Sequence, residues 1–90
     1  MNKTLELYIG SNNTTHKVEI DKLELTLSKY HESFTIKRGV VGYWLGTREE
    51  SVTVLIADDF NTIINTIKRL KQVLKQDAIA YHEVTPLEFI

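Results

Sequence analysis

Apolar residues fall at every second position near the start of the chain, with Leu5, Leu7 and Ile9 on one side and Thr4, Glu6 and Tyr8 on the other. This alternation predicts a half-buried strand over 4–9. Residues 10–17, GSNNTTHK, are polar and turn-rich and read as a surface loop. The next stretch carries two periods at once. Leu23, Leu25 and Leu27 alternate, whereas Ile20, Leu23, Leu27 and Tyr30 mark one stripe of a helix. Asp21 and Glu24 have capping-box spacing and no β-branched run follows, so a helix over about 21–32 is expected.

Phe34 and Ile36 then face one way and Thr35 and Lys37 the other, a strand over 33–39 that VVGYWL (40–45) extends. Glycines inside this run predict a bulge or bend. ESVTVLIA (50–57) is β-branched and apolar on both faces, as a central strand is, which leaves Gly46-Thr47-Arg48-Glu49 as a hairpin turn. Over 58–76, Phe60, Ile63, Ile64, Ile67, Leu70, Val73 and Leu74 recur at helical spacing. Asp58 and Asp59 stand at the positive end of that helix and the lysines gather toward its negative end. AIAYHEV (78–84) reads as a last strand, and LEFI, beyond Pro86, as a short edge piece.

The order β-α-β-β-α-β predicts one α+β domain over 1–90. Two right-handed crossovers around a central hairpin give a ferredoxin-like antiparallel sheet with both helices on one face. The first and third strands lie centrally in that topology. Leu5, Leu7, Ile9, Val52, Val54 and Ile56 then face the helices, while Tyr8, Thr53, Leu55 and Ala57 line the open side. An open face carrying Leu55 and Tyr8 invites a ligand or a second subunit.

Composition narrows the chemistry. With 42% hydrophobic and 26% charged residues the chain is that of an ordinary globule, and a net charge of −1 lacks the basic excess of nucleic-acid binders. The absence of cysteine excludes disulfides, thiolate metal sites and a Cys nucleophile. Asn2, Asn12 and Asn13 begin glycosylation-type triplets that carry no meaning without export. MNKTLELYIG lacks the apolar run of a secretory signal and no stretch is long enough to span a membrane, so a cytoplasmic setting is expected.

YIG, then SFTI ahead of the Gly-aromatic-Trp hairpin, REES opening an apolar strand, and LKQDAI before the last strand run through most of the chain. In these the chain resembles a family of small bacterial and phage-borne domains of unknown function. The resemblance implies a ferredoxin-like fold and brings no catalytic residues.

Trp44, with Tyr43, Arg48 and Glu50, is the first candidate site. An indole beside a guanidinium and a carboxylate can stack on and hydrogen-bond a planar, nucleotide-like ligand. The blander reading, favoured here, is a Trp that anchors its hairpin on the core, with Arg and Glu pairing across the turn. The glycines leave open which face Trp44 takes. His16, His31 and His82 show no metal-ligand spacing, although Asp58 or Glu83 could join one of them in space, and His82 reads as a partly buried strand residue. Lys68, Arg69, Lys71 and Lys75 read as a solvated helix face. No nucleophile elbow, P-loop or dinucleotide fingerprint is present, and the open face offers one aromatic, Tyr8, where an RNA-recognition sheet needs two or three.

The sequence therefore points to a non-enzymatic binding module without a cofactor or metal. Its expected partner is a second copy or another protein, with Tyr8, Tyr43, Trp44, Arg48, Glu50 and Leu55 as contacts. An inhibitor of a host protein, or a protein sequestering a small nucleotide, is the specific form the resemblance suggests. The alternative is a small enzyme with acid–base His and Glu in a pocket at a dimer interface.

Overall fold

The computed structural model describes residues 2–12 and 14–90, so the Asn13 triplet lies outside the described residues. The elements are β1 (Asn2–Ile9), α1 (Ile20–Tyr30), β2 (Thr35–Trp44), β3 (Thr47–Asp59), α2 (Phe60–Val73) and β4 (Ala80–Glu83). They form one antiparallel sheet in the order β2-β3-β1-β4, the ferredoxin-like arrangement, with β1 and β3 central as expected. Pairing of Leu5 with Ile56, Leu7 with Val54 and Ile9 with Val52 lines the apolar positions of both central strands against the helices. All six are buried, together with Leu23 and Leu27 of α1 and Ile63, Ile67 and Leu70 of α2. Each such side chain contributes about 1.5–3 kcal/mol through its removal from water.

Several local expectations are corrected. α1 begins at Ile20, and the Asp21–Glu24 capping box does not form. Glu19 occupies the N-cap without a capping bond. Its carboxylate instead meets Lys22 Nζ at 2.7 Å and accepts from Asn12 Nδ2 at 3.1 Å, tying the 10–17 loop to the helix. Tyr30 is half-exposed, and His31 one residue later closes the buried stripe four positions after Leu27. The strand expected over 33–45 forms as β2, Thr35–Trp44, with a bulge in its glycine-containing stretch as expected. Only the Val84 N–H, bonded to the Thr4 carbonyl at 2.9 Å, continues the β4 ladder. The LEFI edge piece does not form, and Leu87 and Phe89 are exposed.

The hairpin turn is shorter than the expected Gly46–Glu49. Trp44 pairs directly with Thr47, leaving Leu45 and Gly46 at the corner with φ of 49° and 81°. Two successive positive φ values are the signature of the tight turn whose twist suits a hairpin; glycine adopts them freely and leucine does not. With this turn β3 grows to 13 residues, and its first five run past the end of β1. There β2 and β3 form a two-stranded arm, which helps stretch the molecule to 39 × 22 × 19 Å.

Candidate functional site

The face taken by Trp44 is set by a bulge in β2. Lys37 pairs with Thr53 and Val40 with Ser51, so three residues of β2 cover the span of two on β3. Gly39, at φ 73°, supplies the kink. Without the extra residue, strict alternation from Ile36 would carry Trp44 to the helix side. With it, Trp44 and its partner Thr47 continue the open face, and Tyr43, Arg48 and Glu50 turn to the other. Trp44 is 62% exposed and Tyr43 70%, so the anchor reading is corrected. The indole holds the arm to nothing in the core.

The six candidate residues do not form one site. Tyr8 and Leu55 sit on the inner part of the open face, where Tyr8 pairs with Thr53 and Leu55 with Glu6. Thr53 and Thr47, the partner of Trp44, stand six positions apart on β3, a distance of roughly 20 Å along a strand. Trp44, Arg48 and Glu50 do come together, because β3 has a free edge beyond Ile9 and side chains of both faces reach around it. They line a groove of about 420 Å³ with Ser11, His16, Leu45, Thr47 and Glu49. The β2–β3 arm supplies most of the lining, and the chain between β1 and α1 supplies Ser11 and His16 (φ 60°).

Two His–carboxylate constellations lie outside the groove. His31 is buried between the helices and the end of β3, with Nδ1 2.8 Å from Asp58 Oδ2 and Nε2 2.8 Å from Thr66 Oγ1. The Thr66 hydroxyl also donates to the Thr62 carbonyl at 2.9 Å. The His31 bond, followed by the Asp59 N–H, holds the Asp58 carboxyl below its ordinary pKa. The expected role of both aspartates at the helix start is thus corrected in part. Asp59 caps α2 through the Thr62 N–H at 3.2 Å, while Asp58 fixes His31. The His31 side chain is fully covered, and the set joins α1, α2 and β3.

The second constellation lies on the open face. Glu6 of β1 pairs directly with His82 of β4, and Tyr8 stands two residues further along the same face. Tyr8 donates to Glu6 Oε1 at 2.6 Å and lies 2.9 Å from His82 Nε2, which is 3.4 Å from the same carboxylate oxygen. The two rings stack with centroids 5.6 Å apart. Tyr8, then His82, lower the Glu6 pKa, and the bond to Glu6 raises that of Tyr8. His82 is exposed rather than partly buried. Sequence reasoning placed Glu6 on this face but had no means of setting it opposite His82. The signal it passed over for His31 was the position four residues after Leu27 on a buried stripe.

No protein-family profile matches the chain, and no curated protein matches it. Solved structures do. A divalent cation tolerance protein, CutA1, from Thermus thermophilus is 12% identical, with a TM-score of 0.64 over 100% of this chain and 88% of that one. A DUF3240 family protein from Shewanella baltica is 16% identical, with a TM-score of 0.65 over 97% of this chain and 92% of that one. The divalent cation tolerance protein CutA from Archaeoglobus fulgidus, described as periplasmic, is 10% identical, with a TM-score of 0.58 over 97% and 87% of the two chains. At these identities the likeness establishes the fold alone. All three proteins come from cellular organisms, so the likeness lends nothing to a phage origin. Among the described residues no helix is long and apolar enough to cross a membrane.

Proposed function

We propose that this chain is a non-enzymatic binding module that works through its β2–β3 arm, and that the partner is a second copy of itself. One observation carries the reading: Tyr43, Trp44 and Leu45 stand 70%, 62% and 90% exposed at the tip of an arm whose β3 edge, among the described residues, has no paired strand beyond Ile9. Open N–H and C=O groups beside an apolar tip are what strand addition uses: the backbone supplies affinity and the side chains supply specificity. A near-neutral chain, at −1, opposes self-association little. Another protein on the same arm, including a host enzyme held inhibited, is the variant reading the sequence raised.

Sedimentation or native mass spectrometry at micromolar concentration tests this directly. An oligomer that Trp44→Glu converts to monomer supports the proposal; a strictly monomeric wild type overturns it. The cytoplasmic setting expected from the sequence is carried as part of the proposal, and fractionation of the host checks it.

The groove favours a second reading, a small nucleotide-like ligand stacked on Trp44 with its phosphate toward Arg48 and His16. Its volume, about 420 Å³, lies in the range of small-ligand sites. Glu49 and Glu50 oppose an anion there, which ranks this reading second. Calorimetry with ATP and GTP, repeated on Arg48→Ala, decides it: heat that survives the substitution, or none at all, removes it.

A further inference from the structure

The groove beside the arm holds polar groups that nothing in the chain satisfies. Ser11 is only 4% exposed and its carbonyl accepts from Gln76 Nε2 at 3.0 Å, yet its hydroxyl has no partner among the described residues. Every fully buried side-chain N and O among them is hydrogen-bonded, so this hydroxyl opens into the groove it lines. A nearly covered hydroxyl with its bond unmade is a group that a ligand can satisfy.

The charges of the groove are unpaired as well. His16, Arg48, Glu49 and Glu50 enter no ion pair and no side-chain hydrogen bond among the described residues. Elsewhere opposite charges meet: Glu19 with Lys22 at 2.7 Å and Lys3 with Glu83 at 3.4 Å. A Cβ added at Gly10 would stand 2.9 Å from Glu49 Oε2, so this carboxylate lies against bare backbone just past β1. Arg48 and Glu50 share the other face of β3, two residues and about 7 Å apart.

We propose that the groove is a site for a free α-amino acid with a large apolar side chain. Arg48 donates to its carboxylate as a bidentate fork, with the Ser11 hydroxyl beside it, and Glu50 accepts from its ammonium. The amino acid's side chain lies against Trp44 and Leu45. Its nitrogen and carboxyl carbon are about 2.5 Å apart, a span that the long Arg48 and Glu50 side chains reach by leaning together. A plain anion meets the repulsion of Glu49 and Glu50, and a plain cation that of Arg48; a zwitterion answers both signs. All of the lining comes from one chain, so this site does not rest on self-association.

Calorimetric titration of the full-length protein with L-phenylalanine, L-leucine and L-tryptophan tests the site. At least one should bind saturably, one per chain. Its N-acetyl derivative, without the ammonium, and its amide, without the carboxylate, should each bind at least roughly tenfold more weakly. In Arg48→Gln the parent should weaken to the same degree and the further penalty for the amide should vanish; Glu50→Gln should do the same for the acetyl derivative. Ser11→Ala should weaken binding by roughly two- to tenfold. Circular dichroism verifies the fold of each variant. No heat from any of the three amino acids, derivatives that bind as tightly as the parent, or an amide penalty undiminished in Arg48→Gln overturns the proposal. Heat from ATP or GTP with none from the amino acids overturns it in favour of the nucleotide. A monomeric wild type that binds an amino acid supports it while removing the second copy, so either idea can fail alone.

Discussion

The inner and outer halves of the β2–β3 hairpin are built from similar strand-forming residues and end in opposite environments. In the inner half, Val52, Val54 and Ile56 pair with β1 and join residues of both helices in the core, and all are buried. In the outer half, Val41, Tyr43, Trp44 and Leu45 have neither a third strand nor a helix, and all are exposed. What separates them is the position of Ile9, where β1 stops. Burial here follows from the reach of neighbouring elements, and hydrophobicity along the strand does not report it. An apolar tip kept outside the core is free to contact a partner.

Substitutions in the two halves should behave accordingly. The largest expected effect is in the covered half: Ile56→Ala, wholly buried, should cost about 2–5 kcal/mol by chemical denaturation. Thr66→Val should cost about 1–3 kcal/mol, because it keeps the volume but leaves His31 Nε2 without its buried partner. On the arm, Leu45→Asn should stabilise by only about 0.5 kcal/mol, since Asn tolerates the positive φ that Leu45 now adopts. Trp44→Ala should shift monomer stability least, within about 0.5 kcal/mol, while altering the oligomeric mass. A large loss of monomer stability in Trp44→Ala would erase the distinction between the halves.

Acid sharpens the same contrast. The Asp58 carboxyl has its pKa depressed by His31, so its contribution to stability is complete above the ordinary carboxylate pKa, about 3.9. That contribution is lost as pH falls toward the depressed folded-state value. The advantage of wild type over Asp58→Asn, measured by urea denaturation, should therefore be full above about pH 5 and shrink through the acid range.

The sequence by itself determined the class and order of the elements, the topology, and which residues of β1, β3 and, Phe60 apart, of α2 face inward. Those follow from periods of two and about 3.6 residues, which are properties of local backbone geometry. It misread the capping of α1 because Glu19 found Lys22 and Asn12, partners that local spacing does not announce. Tertiary structure alone decided the rest. The glycines announced a bulge in β2, but its place between Lys37 and Val40, and with it the turn of Trp44 to the open face, is fixed by pairing with β3. The β1–β4 register set Glu6 against His82 across 76 residues of chain. The joining of α1 to the end of β3 brought the covered His31 onto the half-buried Asp58. Contacts between residues far apart in sequence are chosen by how whole elements pack, and no local pattern encodes that choice.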